Sequence, residues 1–560
     1  MSEQARWRVA WLLAGLVAAT ALLTLLLGVP VYGHNFGHDA NFALASLHYM
    51  DQSIAAGRWW PRWVLETNWG LGGATFYTYP PLAYWAGALL RRLSGFSIDG
   101  TLGLAILLWR LLFLLGCWLW LRRHVPPLAA LAAAALAALM PYQALVNPWI
   151  RFAYAEIAGA ALLPFLLIAL ERLAETQDLR RLPALALAFA ALALTHLPIT
   201  ALVAHLAPLY AAAYGGRRAA LLTLLGGVAG AGLAACFILP AAALLPQLNF
   251  EGMEDGTWRN SLAFFSPLAG NPTWVRFLLM VWASAALAVL AGLFFRLAIP
   301  VASPLRRAGT LLLLAAAALM TVLTLPLWQW LPQLRSVEFP WRASGLLTMA
   351  VAALAALSLA GGGRRPWQAA LGLGLLGAAL PVGYLLAVTQ LGNPAWPRFL
   401  PAEQRLAQAL SSPRGASPEH LPADAVAAGW RGLFDNGNES EPGPDPHPRP
   451  LRPPGTQQLP DGFLVPEASA SFALPQFFFP AWQAWDAAGH PLPVRAEPNG
   501  FLEVVVESPT HGIRVEVAAT LWERLGWVIS ALTAAGLLAL RLWRPVKLPV
   551  LTSITVACFA

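Results

Sequence analysis

The chain has 560 residues, 58% of them hydrophobic and only 11% charged; an ordinary soluble domain carries roughly 25% charged residues, so a cytosolic globular enzyme is excluded. Thirty-six Lys+Arg against 28 Asp+Glu give a net charge of +8. These basic residues are Arg throughout except for Lys547, and they come in ones and twos between apolar runs rather than on a dense basic face, so no nucleic-acid partner is expected.

Arg6 and Arg8 precede an apolar run to about Pro30 with no small-residue cleavage site, which reads as a retained first helix rather than a signal peptide. Windows of the roughly 17–25 apolar residues that cross a bilayer recur at 8–29, 101–121, 127–146, 155–171, 183–200, 201–215, 219–240, 276–296, 309–326, 343–360, 367–389 and 526–545. Pro198 and Pro208 interrupt the stretch 183–215, which reads either as two spans or as one long broken helix. The stretch 80–93 reads as re-entrant or interfacial, although Arg91 and Arg92 after it count against that. The predicted fold class is an α-helical polytopic membrane protein with about 12–13 transmembrane helices, carrying a small extracytoplasmic β-rich domain near the C-terminus.

Arg122-Arg123, Arg180-Arg181, Arg217-Arg218, Arg306-Arg307 and Arg364-Arg365 fall on one side under these spans, as do Arg541, Arg544 and Lys547 after the last. The positive-inside rule makes that side, and the N-terminus, cytoplasmic in a bacterial plasma membrane. Loops 30–79, 147–154, 246–275 and 327–342 and the long segment 393–524 then face outward. Fifteen of the 28 acids lie in 393–524, so that segment differs in kind from the membrane part. The expected organisation is a multi-span domain over 1–392, an outer linker or lid over 393–460, a β-rich domain over 461–524, and a final helix with its tail over 525–560. The first part of the outer segment is rich in Pro, Gly and Ser. Its later part alternates apolar and polar residues, as in Phe501–Glu507 and Gly512–Val517, which signals strands. Cys117, Cys236 and Cys558 show neither a disulfide framework nor metal spacing.

The few ionisable residues of the membrane part gather at outer helix mouths. The first outer loop reads Tyr32-Gly-His34-Asn-Phe-Gly-His38-Asp39 and later Trp69-Gly-Leu-Gly-Gly-Ala-Thr-Phe-Tyr77-Thr-Tyr79-Pro80-Pro81. A carboxylate just past a membrane helix can act as a base or bind a cation. Asp39 is therefore a catalytic candidate. His34, His38 and Asp39 are close enough to share one ion, which makes a divalent cation (Mg or Mn) the candidate cofactor. The other reading of this loop is of wet-loop polar groups with aromatic interfacial anchors. Arg151 and Glu156, five apart, enter an apolar run and read either as an ion pair between helices or as cavity-facing groups, Arg151 being shaped for phosphate. His196 in Thr195-His196-Leu197-Pro198, and Glu338 and Arg342 in Ser336-Val-Glu338-Phe339-Pro340-Trp341-Arg342, stand at two further mouths. The acidic loop Glu251, Glu254, Asp255 reads as solvated. There is no Walker loop, no Gly-x-Ser-x-Gly and no His-Glu-x-x-His.

The Gly-His-Asp loop, Tyr-Pro-Pro, Arg151…Glu156, Thr195-His196, Phe339-Pro-Trp-Arg342 and the terminal Phe479-Pro-Ala-Trp-Gln-Ala-Trp485 together resemble the bacterial membrane proteins called "6-pyruvoyl-tetrahydropterin synthase-related". A pterin synthase is a small soluble zinc enzyme, and this chain lacks its His-rich zinc pattern, so pterin chemistry is rejected. The layout is also similar to the GT-C class of integral membrane glycosyltransferases. That resemblance implies a lipid-phosphate-linked sugar donor and a loop acid, here Asp39. It further implies Glu156 as a second catalytic acid and Arg151 as a phosphate-binding residue; His38, His196, Glu338, Arg342 and Tyr77 are the further candidates for substrate binding, by their places in the outer loops and helix mouths. A single loop acid, where better-characterised members carry a pair, departs from the class pattern and weakens the case for a metal.

Two functions follow as expectations. The first is a glycosyltransferase moving a sugar from a polyprenyl-phosphate donor to an envelope glycan, lipid or protein acceptor on the extracytoplasmic side. The second is a non-catalytic membrane protein binding or exporting envelope polysaccharide or lipid. A secondary transporter ranks last, because no internal repeat is found and the ionisable groups avoid the midplane.

Overall fold

A computed structural model describes residues 3–28, 39–249, 257–264, 272–299, 301–390, 402–411, 420–430 and 445–542. It is a multi-pass helical bundle with an antiparallel β unit. Among the described residues, seven helices are long and apolar enough to cross a membrane, or eight if the pair Arg217–Leu233 and Ala235–Gln247, bent by 78° at its break, counts as one span. Twelve or thirteen were expected from the apolar windows. Two of those windows are realised as helices too short for that count, Leu182–Thr195 and Pro304–Leu319, of 14 and 16 residues.

Small side chains decide which helices lie inside. Pro127–Leu139 is almost wholly Ala and Leu, and with Ser344–Ala360 it is buried nearly throughout. Alanine lets helix backbones approach closely where lipid gives no hydrophobic drive to pack. Leu521–Leu542, by contrast, stays at the periphery. Its N-terminus is a capping box, with the Glu523 carboxylate accepting from the Thr520 N–H at 2.9 Å and the Thr520 hydroxyl accepting from Glu523 N–H at 3.3 Å.

Prolines set the breaks. The stretch 183–215 is two helices, Leu182–Thr195 and Leu197–Gly215, hinged at an extended His196 (φ −159°, ψ 100°) with Pro198 in the first turn of the second. The apolar window 127–146 ends as a π-helix, Tyr142–Arg151, with Pro148 inside it. Phe152 then turns the chain sharply in the left-handed region (φ 56°), and Tyr154–Thr176 begins two residues later. Leu82–Ser94 is a 13-residue helix, about 20 Å long, short of a ~30 Å hydrocarbon core. Arg91 and Arg92, which counted against an interfacial reading, both pair with Asp51 on the helix Ala40–Ala55, at 2.5 and 3.2 Å.

The β unit has two sheets. Strands β1 (Gln457–Leu459), β2 (Gly462–Ala468), β4 (Trp482–Trp485), β5 (Pro491–Leu492) and β8 (Thr510–Val517) form one, in order β1-β2-β8-β4-β5. Strands β3 (Phe472–Phe477), β6 (Val494–Ala496) and β7 (Phe501–Val504) form the other, in order β3-β7-β6. The expected strands over 501–507 and 512–517 are β7 and β8. Phe463, Leu474, Phe477, Leu502 and Val515 fill the core, which also takes Trp63, Leu65, Leu71 and Tyr77 from the first loop. Gln476, where β3 breaks register, ties that loop down: its amide donates to Leu65 O at 3.2 Å and Gly70 O at 2.6 Å, and its carbonyl accepts from Trp63 Nε1 at 3.2 Å.

Of the arginines read as one-sided, Arg541 donates to Arg180 O at 3.3 Å, and Arg307 donates to Ala213 O at 3.3 Å.

Candidate active site

Asp39, Arg151, Glu156, His196 and Arg342 line a single pocket of about 270 Å³. Glu338 joins them through Arg342, its carboxylate 3.5 Å from Nη1. Six residues, from Asp39 to Arg342 in the sequence, are thus brought together.

Four of them stand at or just before the start of a helix, and Arg151 closes the π-helix Tyr142–Arg151. Asp39 is the N-cap of Ala40–Ala55, and its side chain makes no capping bond. Glu156 is in the first turn of Tyr154–Thr176, whose N-cap, Ala153, also supplies no capping side chain. His196 is the N-cap of Leu197–Gly215, and Arg342 lies in the 3₁₀ turn Pro340–Ala343 that leads into Ser344–Ala360. Four helix N-termini therefore border one space, where the positive ends of their dipoles favour negative charge.

Glu156, 2% exposed, is the hub. Its Oε1 accepts from the Tyr142 hydroxyl at 2.6 Å and from Asn147 Nδ2 at 3.3 Å. Its Oε2 accepts from Arg151 Nη1 at 2.6 Å, with Arg342 Nε at 3.4 Å and His196 Nε2 at 4.0 Å. His196 Nδ1 accepts from Ile199 N–H at 3.2 Å. In the neutral ring the proton then sits on Nε2, facing Glu156. Arg342 also stacks over Phe339, 4.9 Å from the ring centre, and donates to Val337 O.

Asp39 is the open group. Its side chain is 45% exposed, with Arg151 Nη2 3.7 Å from Oδ2. The backbone holds it in place, Asp39 N–H donating to Arg151 O at 2.8 Å. Beside it, Tyr79 also lines the pocket. Burial, reinforced by the Asp39 carboxylate, pushes the Tyr79 phenol above its usual range, so it remains a protonated donor.

Two expected site residues fall differently. Tyr77 is not in this pocket; it lies under the β unit, its hydroxyl 3.5 Å from Glu523 and its ring 4.7 Å beneath the buried Arg62 guanidinium. His34 and His38 lie outside the described residues. Among the described residues no three His, Cys, Asp or Glu side chains converge as a metal site. Of the three candidate ligands the described residues hold Asp39 alone, a single carboxylate facing the Arg151 guanidinium; Mg and Mn take several oxygens. Tyr142 and Asn147, unrecognised in the sequence, complete the hub from the π-helix.

Between the same helices, nearer the middle of the bundle, lies an apolar cavity of about 320 Å³ lined by residues including Leu163, Leu166, Val203, Leu206, Leu346 and Met349.

No family model and no curated protein matches the chain. Among solved structures it is similar to the cryo-EM structure of the arabinofuranosyltransferase AftD from Mycobacteria, at 18% identity and a TM-score of 0.39 over 90% of this chain and 40% of that one. A variant of the same protein gives 17% and 0.38, over 75% and 34%. The crystal structure of ArnT from Cupriavidus metallidurans bound to undecaprenyl phosphate gives 16% and 0.29, over 69% of this chain and 80% of that one. This chain thus spans about two fifths of the arabinofuranosyltransferase. The pterin-synthase-related family does not appear among these structures, and that resemblance rests on the short motifs alone.

Proposed function

We propose that this protein is a membrane glycosyltransferase of the GT-C kind, moving a sugar from a polyprenyl-phosphate donor to an envelope glycan, lipid or protein acceptor on the extracytoplasmic face. The observation that carries the reading is the convergence of four helix N-termini and two guanidinia on a pocket with one half-exposed carboxylate at its rim. Helix N-termini and arginines favour a phosphate, and the free carboxylate supplies a base. The small apolar cavity begins about seven residues, or ~10 Å, down the helices that carry Glu156 and His196, so the wall below the charged groups is of the kind an isoprenoid chain would lie against.

In this reading the acceptor hydroxyl oxygen attacks the anomeric carbon of the sugar, and Asp39 takes the hydroxyl proton. The anomeric C–O bond to phosphate breaks, and its electron pair stays on the phosphate oxygen. Arg151 Nη2 and Arg342, with the helix N-termini, stabilise the charge that grows there. Glu156 was expected to be catalytic. With both oxygens occupied by protein donors, its role is positioning: it holds Arg151 and Arg342 in one orientation.

The test uses the purified full chain with radiolabelled polyprenyl-phosphate sugars. Asp39→Asn should lower transfer by about 10²–10⁴-fold, the usual share of a positioned base, while donor binding persists. Undiminished transfer by the variant would remove Asp39 from the mechanism. Binding of polyprenyl phosphate without turnover by the wild type would favour the non-catalytic alternative.

A further inference from the structure

The pocket has two unlike walls. One is charged, as described. The other is aromatic: Phe42 lies 4.8 Å from Tyr79, and Tyr79 5.8 Å from Tyr84, between ring centres. Tyr84 continues into the core, 5.3 Å from Tyr154, whose hydroxyl is used up on Ala83 O at 2.8 Å. Tyr84 and Tyr154 are buried and serve as backing. Phe42, 9% exposed, and the partly exposed Tyr79 line the pocket, and both rings pack at one edge on His420, at 5.9 and 6.1 Å.

Tyr79 takes this place because Pro80 follows it. The residue before a proline is pushed out of the helical region, and Tyr79 is extended (φ −90°, ψ 124°) directly after the short helix Thr75–Thr78. The charged groups acting on its phenol are Asp39, Arg342 and Arg151. The two arginines have no acceptor, so of these groups Asp39 alone can take the phenol proton, and an oxygen of a ligand in the pocket can take its place.

A bare phosphate needs only the charged wall. A ligand that uses both walls must present a flat apolar face and hydroxyl groups at its edge, which is the shape of a sugar ring. Aromatic rings with a polar tip suit such a ligand, burying its C–H face while one hydroxyl bonds its rim. We infer that Phe42 and Tyr79 are the platform for the transferred sugar, with the Tyr79 hydroxyl donating to a sugar oxygen. The inference rests on the glycosyltransferase reading above.

The experiment compares binding of farnesyl phosphate with farnesyl phosphate carrying mannose, glucose or arabinofuranose, on the full chain in detergent. The wild type should bind at least one sugar-bearing probe roughly tenfold more tightly than the bare phosphate, the increment of one or two good contacts. Tyr79→Ala should erase that increment and leave farnesyl phosphate binding within twofold of wild type. Tyr79→Phe, which keeps the ring, should retain part of it, and it answers the question if the Ala variant does not fold. An increment that survives both substitutions overturns the platform. Absence of farnesyl phosphate binding by the wild type, or its indifference to Arg151→Met, would instead sink the phosphate-transfer reading and is read from a separate arm.

Discussion

The helix Tyr154–Thr176 carries two buried glutamates at its two ends, and they behave differently. Glu156 is 2% exposed and Glu171 fully buried, and fifteen residues separate them by about 22 Å. Glu171 accepts from Trp120 Nε1 and Arg123 Nη1 at 2.8 Å each and from Tyr210 at 2.7 Å, with His124 Nε2 at 2.8 Å. Arg123 continues to Glu175, which Tyr214 also caps at 2.7 Å. This cluster is closed on itself. Glu156 has as many partners, but two of them, Arg151 and Arg342, turn their remaining N–H groups toward a pocket rimmed by Asp39. A buried carboxylate in a membrane bundle therefore does not by itself signal a functional site; partners that open onto a cavity do. The dipole sharpens the contrast. Glu156 sits in a first turn, where negative charge is favoured, whereas Glu171 sits toward the C-terminal end, where Arg123 and His124 must offset the field.

The largest break in this comparison should come from neutralising each hub. Glu156→Gln leaves two buried guanidinia short of a counter-charge, which in buried pairs costs about 3–5 kcal/mol. Transfer per folded molecule should fall by about 10²-fold or more as the arginines lose their setting. Glu171→Gln keeps the shape and some of the acceptor capacity, and should cost about 1–3 kcal/mol with transfer per folded molecule unchanged. Thermal unfolding followed by tryptophan fluorescence, alongside transfer assays, separates the two. A Glu171→Gln protein that folds but does not turn over would end the distinction.

A middle-sized effect should come from exchanging arginine for lysine at each end. Arg342 uses its planar fork on Glu156, Glu338 and Val337 O while stacking on Phe339. Lysine keeps the charge and loses that geometry, so Arg342→Lys should lower kcat by about 10–100-fold, an effect of roughly 1.4–2.8 kcal/mol. Arg123→Lys, which loses the fork spanning the buried Glu171 and the exposed Glu175, should cost about 1–3 kcal/mol of stability and leave kcat alone. Equal losses of kcat at both positions would show that the two clusters are coupled.

Much of this site was legible because charge is scarce. In a chain with 11% charged residues, Asp39, Arg151, Glu156, Glu338 and Arg342 stood out at helix mouths one by one, and His196 by its place before a proline. Their convergence was not legible, since it depends on how the helices pack. Tyr142 was hidden in a window read as ordinary apolar helix and Asn147 in the outer loop after it, and only the π turn around Pro148 directs them at Glu156. Tyr77 drew attention that belonged to Tyr79. The two are separated by one residue, yet Pro80 bends the chain so that Tyr77 goes under the β unit and Tyr79 into the pocket. The Pro80 rule was available and was the signal to read. In the β unit, strict alternation made the strands plain, but nothing local announced that Gln476 would hold the first loop.

The smallest expected effect lies at Glu338, and it tests where the site ends. Glu338 adopts a positive φ of 66°, unfavourable for a residue with a side chain, and pairs with Arg342 at 3.5 Å. Its carboxylate is partly exposed, and exposed pairs contribute about 0–1 kcal/mol. Arg342 would keep Glu156, Val337 O and the Phe339 ring if Glu338 lost its charge. Glu338→Gln should therefore raise the donor KM no more than about fivefold, the equivalent of 1 kcal/mol, with kcat unchanged. Glu338→Gly should match it in KM and unfold at the same or a higher temperature, because glycine takes that backbone conformation without strain. A loss in kcat of more than about 30-fold in Glu338→Gln, or roughly 2 kcal/mol, would place this carboxylate among the groups that act on the substrate. The pocket would then have two working acids, Asp39 and Glu338, on either side of the arginine pair.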